Sequence, residues 1–134
     1  MPMEQLLVQS LDELTTQIDN ACQKGRRVYL YFSGSTDLTT GDSWSPECRQ
    51  CEGVLEQAMK DTKEEDLFLM VEVGDQNEWN DANNKYRTHP LYQVKQLPTL
   101  LSLSFLQGQT QVASRLEGEP CLNLENVQKL FKGN

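Results

Sequence analysis

The seven residues Leu67-Phe68-Leu69-Met70-Val71-Glu72-Val73 contain a single charge. A strand with one wet face alternates apolar and polar side chains; a nearly continuous apolar run is what a strand covered on both faces requires. Helices must therefore pack on both sides of the sheet that holds it, and the rest of the chain supplies them. Ser10 is placed as an N-cap ahead of Leu11, Leu14, Ile18 and Ala21/Cys22 at helical spacing, with Gly25 as the stop. Val28 to Phe32 (Val-Tyr-Leu-Tyr-Phe) reads as a β-branched and aromatic strand. A polar loop, 33–43, follows. Pro46 then opens a helix with the apolar stripe Cys48, Cys51, Leu55, Ala58 and Met59. Asp75 to Arg87 is polar and reads as a loop with a short helix. Thr99 to Phe105 and Gln111 to Leu116 form a hairpin around Gln107-Gly108, and Leu122, Leu124, Val127, Leu130 and Phe131 mark a last amphipathic helix. The order α-β-α-β-(α)-β-β-α predicts an α/β fold, a central mixed sheet flanked by helices on both faces. At 134 residues, with no linker or repeat, residues 1–134 read as one domain.

Several classes of function are excluded. No stretch of ~18 apolar residues exists to span a membrane. Leu6-Leu7-Val8 is far shorter than the ~7–15 residues of a signal-peptide core. A cytosolic location is the expectation. The net charge of −8 opposes binding to a phosphate backbone, which attracts basic faces; its simplest consequence is solubility.

Four cysteines, Cys22, Cys48, Cys51 and Cys121, in a reducing compartment are buried thiols, redox groups or ligands rather than staples. Cys48-Arg49-Gln50-Cys51 is a CxxC within one helix. Its i,i+3 Cβ atoms lie ~5–6 Å apart, whereas a disulfide wants ~3.8 Å. Closure would strain the first turn, and both cysteines also continue the apolar stripe, so two readings stand: core thiols or an easily reduced pair. A structural zinc site needs a second ligand pair, which Cys22, Cys121 and His89 do not supply. No metal and no cofactor is expected. Cys22 and Cys121 read as packing residues on helical faces.

Trp44-Ser45-Pro46-Glu47-Cys48 lies between a strand and a helix start, and Leu97-Pro98-Thr99 opens a later strand. This pair resembles the thioredoxin superfamily, whose WCxxC motif faces a cis-proline. Tyr31-Phe32-Ser33-Gly34-Ser35, Val73-Gly74 with Trp79-Asn80-Asp81 and Asn83-Asn84, and Leu97-Pro98-Thr99-Leu100-Leu101 bring the chain nearer to the small thioredoxin-related proteins with a WCPDC motif. The resemblance spans residues 10 to 132. It implies a thioredoxin fold, protein-disulfide reductase activity fed by a thioredoxin reductase, and disulfide-containing or extended protein substrates. It puts Ser45 at the nucleophile position, Cys48 at the resolving position and Cys51 as an accessory thiol. The implied substrate groove comprises Trp44, Pro46, Glu47, Gln96, Leu97, Pro98 and Thr99, with the backbone of Gln96 and Leu97 offered to an extended peptide. Tyr31 falls near the position where thioredoxins carry a buried acid. Trp44 is either a substrate anchor or a packing residue on the loop.

The serine decides how the motif can work. Disulfide reduction needs a thiolate, and a helix N-terminus lowers a cysteine pKa from its free value of ~8.5. A helix dipole supplies at most ~2 kcal/mol, which suits a thiol and leaves a serine hydroxyl protonated. His89 has no motif linking it to Ser45. Serine at N-cap, proline at N1 and glutamate in the first turn are instead what a helix start favours. Two functions follow: a disulfide reductase reduced to monothiol or Cys48/Cys51 chemistry, or a redox-inactive peptide-binding module.

Overall fold

The structure, a computed structural model, describes residues 3–132. In chain order the elements are β1 (Glu4–Val8), α1 (Leu11–Gln23), β2 (Val28–Ser33), α2 (Pro46–Ala58), β3 (Leu67–Glu72), α3 (Gln76–Asn80), α4 (Lys85–Thr88), β4 (Thr99–Leu106), β5 (Gln109–Glu117) and α5 (Leu124–Phe131). The five strands form one mixed sheet in the order β1-β3-β2-β4-β5. β3 runs parallel to both β1 and β2, and the β2–β4 and β4–β5 pairs are antiparallel.

The alternation along β2 divides the core. Val28, Leu30 and Phe32 point to one face and meet Leu14, Ile18 and Ala21 of α1, with Trp79, Tyr86 and Tyr92 from the 75–94 region. Tyr29 and Tyr31 point to the other, where α2 contributes Cys51, Leu55 and Ala58, and α5 contributes Val127, Leu130 and Phe131. Every residue of β2 is buried, as the double cover demands. The β4–β5 turn places both Gln107 and Gly108 at positive φ, 53° and 79°, the geometry that matches the right-handed twist of a hairpin.

The fold departs from the sequence reading at three places. β1 is an additional parallel edge strand. Its Glu-Gln-Leu-Leu-Val lacks regular alternation because only Val8 is fully covered and Leu7 remains half exposed. Asp75 to Arg87 holds two short helices, each begun by a side-chain cap: Asp75 accepts from Glu78 N in a capping box, and Asn84 accepts from Tyr86 N. Cys121 and Leu122 sit in a 3-10 turn, Glu119–Leu122, because Asn123 caps α5 and starts it only at Leu124. No helix among the described residues is long and apolar enough to cross a membrane.

Candidate functional site

The carboxyl end of β2 and the first turn of α2 meet at Ser45. This residue has extended backbone (φ −88°, ψ 120°), and its Oγ accepts the Cys48 N–H at 3.4 Å. The hydroxyl donates to Glu47 Oε2 at 3.3 Å, and the Ser45 N–H donates to Ser43 Oγ at 3.3 Å. Ser43 in turn donates to the Gly34 carbonyl at 2.8 Å. Arg49 reaches back to the Ser43 carbonyl at 2.7 Å. The approach to the helix is thus fixed by side chains on both sides of the cap. Ser45 is buried, while Pro46 and Glu47 are exposed.

Trp44 is held by both ends. Its indole Nε1–H donates to the Gly74 carbonyl at 2.9 Å, and the ring leaves no room for a Cβ at Gly34, which would lie 2.5 Å from Trp44 Cε2. Only glycine fits there. The ring is half-buried and packs against the α1-side core. Gly34→Ala should therefore expel the indole, break its bond to Gly74 and cost about 1–3 kcal/mol, as overpacking does. The indole N–H resonances report it directly: Trp44's signal should move while that of Trp79 stays.

The thiols behind the cap are dry. Cys48 and Cys51 both have 0% exposure. Burial pushes the Cys48 thiol above its ordinary value, against weaker opposing hydrogen bonds led by Ser45. The Cys51 thiol is also raised, first by its hydrogen bond to the Cys121 thiol and then by burial. Cys51 Sγ lies 3.4 Å from the Cys121 carbonyl. All four cysteines are free. Beneath Cys48, the buried Tyr31 Oη lies 3.0 Å from the Cys48 carbonyl and 3.2 Å from Glu52 Oε2. The carboxyl group nearest to Tyr31 therefore comes from α2. Burial raises it above the usual carboxylate range.

The Leu97–Pro98 peptide bond is cis. Pro98 is buried; its carbonyl accepts from the Gly118 N–H at 2.8 Å and lies 3.5 Å from the Cys121 Sγ, whose nearer acceptor is the Leu116 carbonyl at 3.2 Å. Thr99 is fully buried; its hydroxyl donates to the Gln96 carbonyl at 2.7 Å, so that carbonyl already carries one bond. Gln96 is exposed and its side chain lies where a Cβ on Gly118 would be, 2.4 Å from Gln96 Oε1. Leu97 is half-buried and packs on the same core as Trp44. From β5, Arg115 donates to the carbonyls of Tyr92 and Gln93 and pairs with Glu117. Sequence reasoning missed this clamp, and it missed Glu52: Arg115 works through backbone carbonyls, which carry no residue signature, and Glu52 lies on the polar side of an amphipathic helix.

The candidate residues fall on two sets of elements. The β2–α2 junction supplies Trp44, Ser45, Pro46, Glu47 and Cys48; the start of β4 supplies Gln96, Leu97, Pro98 and Thr99. Cys121 joins them, touching Cys51 on α2 and the Pro98 carbonyl at β4.

Residues 7–133 match the family model described as "Thioredoxin domain-containing protein 17-like, thioredoxin domain". The chain is 30% identical to human thioredoxin domain-containing protein 17 over 128 residues, covering 96% of this chain and 94% of that protein. Over 78 residues it is 38% identical to the mouse protein, covering 58% of this chain and 61% of that one. Among solved structures, a thioredoxin from Nicotiana alata superimposes with a TM-score of 0.61 at 18% identity, over 96% of this chain and 90% of that one. That likeness establishes the fold.

Proposed function

Because this chain belongs to the thioredoxin domain-containing protein 17-like family, with its thiol–disulfide oxidoreductase-like role, we propose that it is a cytosolic member whose dithiol chemistry is impaired or lost. Its substrates are disulfide-containing or extended proteins. Ser45 stands in the nucleophile's place, Cys48 in the resolving place and Cys51 behind them.

One observation carries the reading. The side chain at 45 is a hydroxyl that caps α2 by accepting the Cys48 backbone N–H, and the Cys48 thiol has no exposure and a pKa raised by burial. Attack on a disulfide requires a thiolate with access to sulfur, and this arrangement offers neither. Cys51 is no better placed, since its thiol is equally buried and its pKa is also raised, by its hydrogen bond to Cys121 and by burial.

The test is insulin reduction with thioredoxin reductase and NADPH. The chain should stay at the uncatalysed background. Turnover comparable to that of a WCPDC-containing relative would overturn the assignment, and Cys51→Ser would then show whether Cys48 and Cys51 act as a pair.

The second reading, a redox-inactive peptide-binding module, is favoured by the care with which the substrate side is built. Pro98 is tied to Gly118 and Cys121, the preceding segment is clamped by Arg115, and Trp44 is locked by Gly34 and Gly74. If it holds, Trp44, Leu97 and the backbone beside them take up an extended segment by strand addition.

A further inference from the structure

The sheet ends in two edges of different character. At β5 a register shift interrupts the ladder with β4 between Ser102 and Leu103, and Arg115 and Glu117 form an ion pair along the strand. Bulges and charges of this kind keep a free edge from pairing with another chain. β1 carries neither. Its five residues, Glu4 to Val8, contain no proline and no lysine and run in unbroken register against β3. Their one charge, Glu4, is held by Arg26 at 2.8 Å.

The pairing with β3 decides which backbone groups of β1 are left over. The Glu4 N–H donates to the Asp66 carbonyl at 3.1 Å. Alternate residues of a parallel ladder turn their backbone groups to the neighbouring strand. Glu4, Leu6 and Val8 therefore face β3, opposite Leu67, Leu69 and Val71, and Gln5 and Leu7 face outward. Among the described residues no group bonds to the N–H or carbonyl of either one. Their side chains are open as well: Gln5 is exposed, and Leu7 is 50% exposed although Val8 beside it is fully buried.

We propose that β1 is the interface for a second copy of this chain, paired antiparallel about a two-fold axis through Leu6. Such an axis makes every contact occur twice. In this register Gln5 lies opposite Leu7 of the second copy, and Leu7 opposite its Gln5. Each pair exchanges two N–H···O bonds, so all four outward groups of each copy are satisfied. A shift to either side would call on Met3 or Gln9, whose N–H groups already donate to Thr62 Oγ1 and Glu13 Oε2. Leu6 meets its counterpart on the axis, on the face where Leu6 and Val8 join the α1-side core. On the other face the two Leu7 side chains become diagonal neighbours across the seam. The two Glu4 carboxylates stand at opposite ends, each across from a Val8. A chain of net charge −8 thus meets its copy without opposing like charges. The β2–β4 side that carries Trp44 and Pro98 is separated from this edge by β3, so the interface stands whether or not residue 45 does chemistry.

Sedimentation equilibrium of the full chain from about 1 μM to about 1 mM tests it, since this range spans micromolar to millimolar dissociation constants. The average mass should climb from that of one chain towards that of two. Over the same range the amides of Gln5 and Leu7 should come to exchange with solvent at least about tenfold more slowly, which association through another surface would not produce. Leu7→Pro removes an outward N–H and no bond of the β1–β3 ladder, and it should abolish association. Leu7→Lys keeps the backbone intact, deletes the apolar contact twice and sets two like charges across the seam. It should weaken association at least about tenfold. Gln111→Lys, on the β5 edge, should associate as the parent does. A single-chain mass at about 1 mM, Gln5 and Leu7 exchange that ignores concentration, undiminished association of Leu7→Lys, or its loss in Gln111→Lys would each overturn the proposal.

Discussion

Ser45→Cys is expected to convert the chain into a working dithiol reductase, raising reductase-coupled insulin turnover at least about a hundredfold above the parent. That gain lies well inside the loss that removing a nucleophile causes in other enzymes. The substitution is nearly isosteric, and the backbone is already suitable. Residue 45 is extended, not helical, so its side chain folds back over the first turn toward Cys48 N. Cys48 and Cys51, by contrast, both lie inside the helix. The new thiolate would attack a substrate sulfur and release one substrate thiolate. Cys48, after losing its proton, would attack the sulfur at 45, expel the second substrate thiol and leave a 45–48 disulfide for the reductase. The raised Cys48 pKa fits the second role, since that thiol stays protonated until the mixed disulfide forms. Glu47 works against the first, because the residue-45 side chain faces Glu47 Oε2 at 3.3 Å and a carboxylate beside a thiolate disfavours it. Adding Glu47→Gln should therefore quicken alkylation of the new thiol. In the reduced form Ser45→Cys should cost about 1 kcal/mol, the worth of a serine N-cap. Iodoacetamide reactivity against pH is the direct measurement. A thiol no faster than free cysteine at neutral pH, with no turnover, would mean that the site lacks more than one atom.

Phe32→Ala should be the most damaging single truncation near the site. Phe32 is fully buried, its ring lies 5.8 Å from that of Tyr86 and 5.6 Å from that of Tyr92, and its backbone pairs with Thr99 next to Pro98. Losing a buried phenylalanine costs about 3–5 kcal/mol, from lost burial and the cavity left behind. For a domain of this length that lowers Tm by about 10–20 °C. Thermal unfolding followed by circular dichroism checks it. A loss below about 1 kcal/mol would mean that Tyr86 and Tyr92 collapse into the space and that the α1-side core does not depend on this ring.

What could be read from the sequence follows what each residue has to do. The β3 run announced its double cover because its own residues are almost all apolar, on both faces of the strand. The Pro46 helix was legible twice over, in its Ser-Pro-x cap and in a stripe whose members Cys48, Cys51, Leu55, Ala58 and Met59 are all buried. β1 was not legible, because an edge strand with one neighbour needs little apolar surface, and Glu-Gln-Leu-Leu-Val keeps only Val8 fully inside. At the candidate site, the motif residues were named from the resemblance, but the contacts that hold them in place could not be read from the sequence. Ser43 on Gly34, Trp44 on Gly74, Arg115 on the carbonyls of Tyr92 and Gln93, and Cys121 between α2 and Pro98 all join segments distant in sequence, and most of them end on backbone atoms. Cys121 shows the limit well. Periodicity placed it on a helix, whereas Asn123 starts that helix later and leaves the thiol buried in a tight turn against the Leu116 and Pro98 carbonyls.

The parallel edge strand has a consequence in time. Glu4 pairs with Leu67 and Val8 with Val71, so β1, made before β3, cannot be paired until β3 exists, and β3 is also the partner of β2. Closing so long a loop is entropically costly and slows folding. On a ribosome, α1 and β2 emerge with their parallel partner still unmade, and the apolar edge of β3 is bare until β1 returns to it. The parallel half of the sheet thus waits on its middle strand: both β1 and β2 find their parallel partner in the same six residues, Leu67–Glu72.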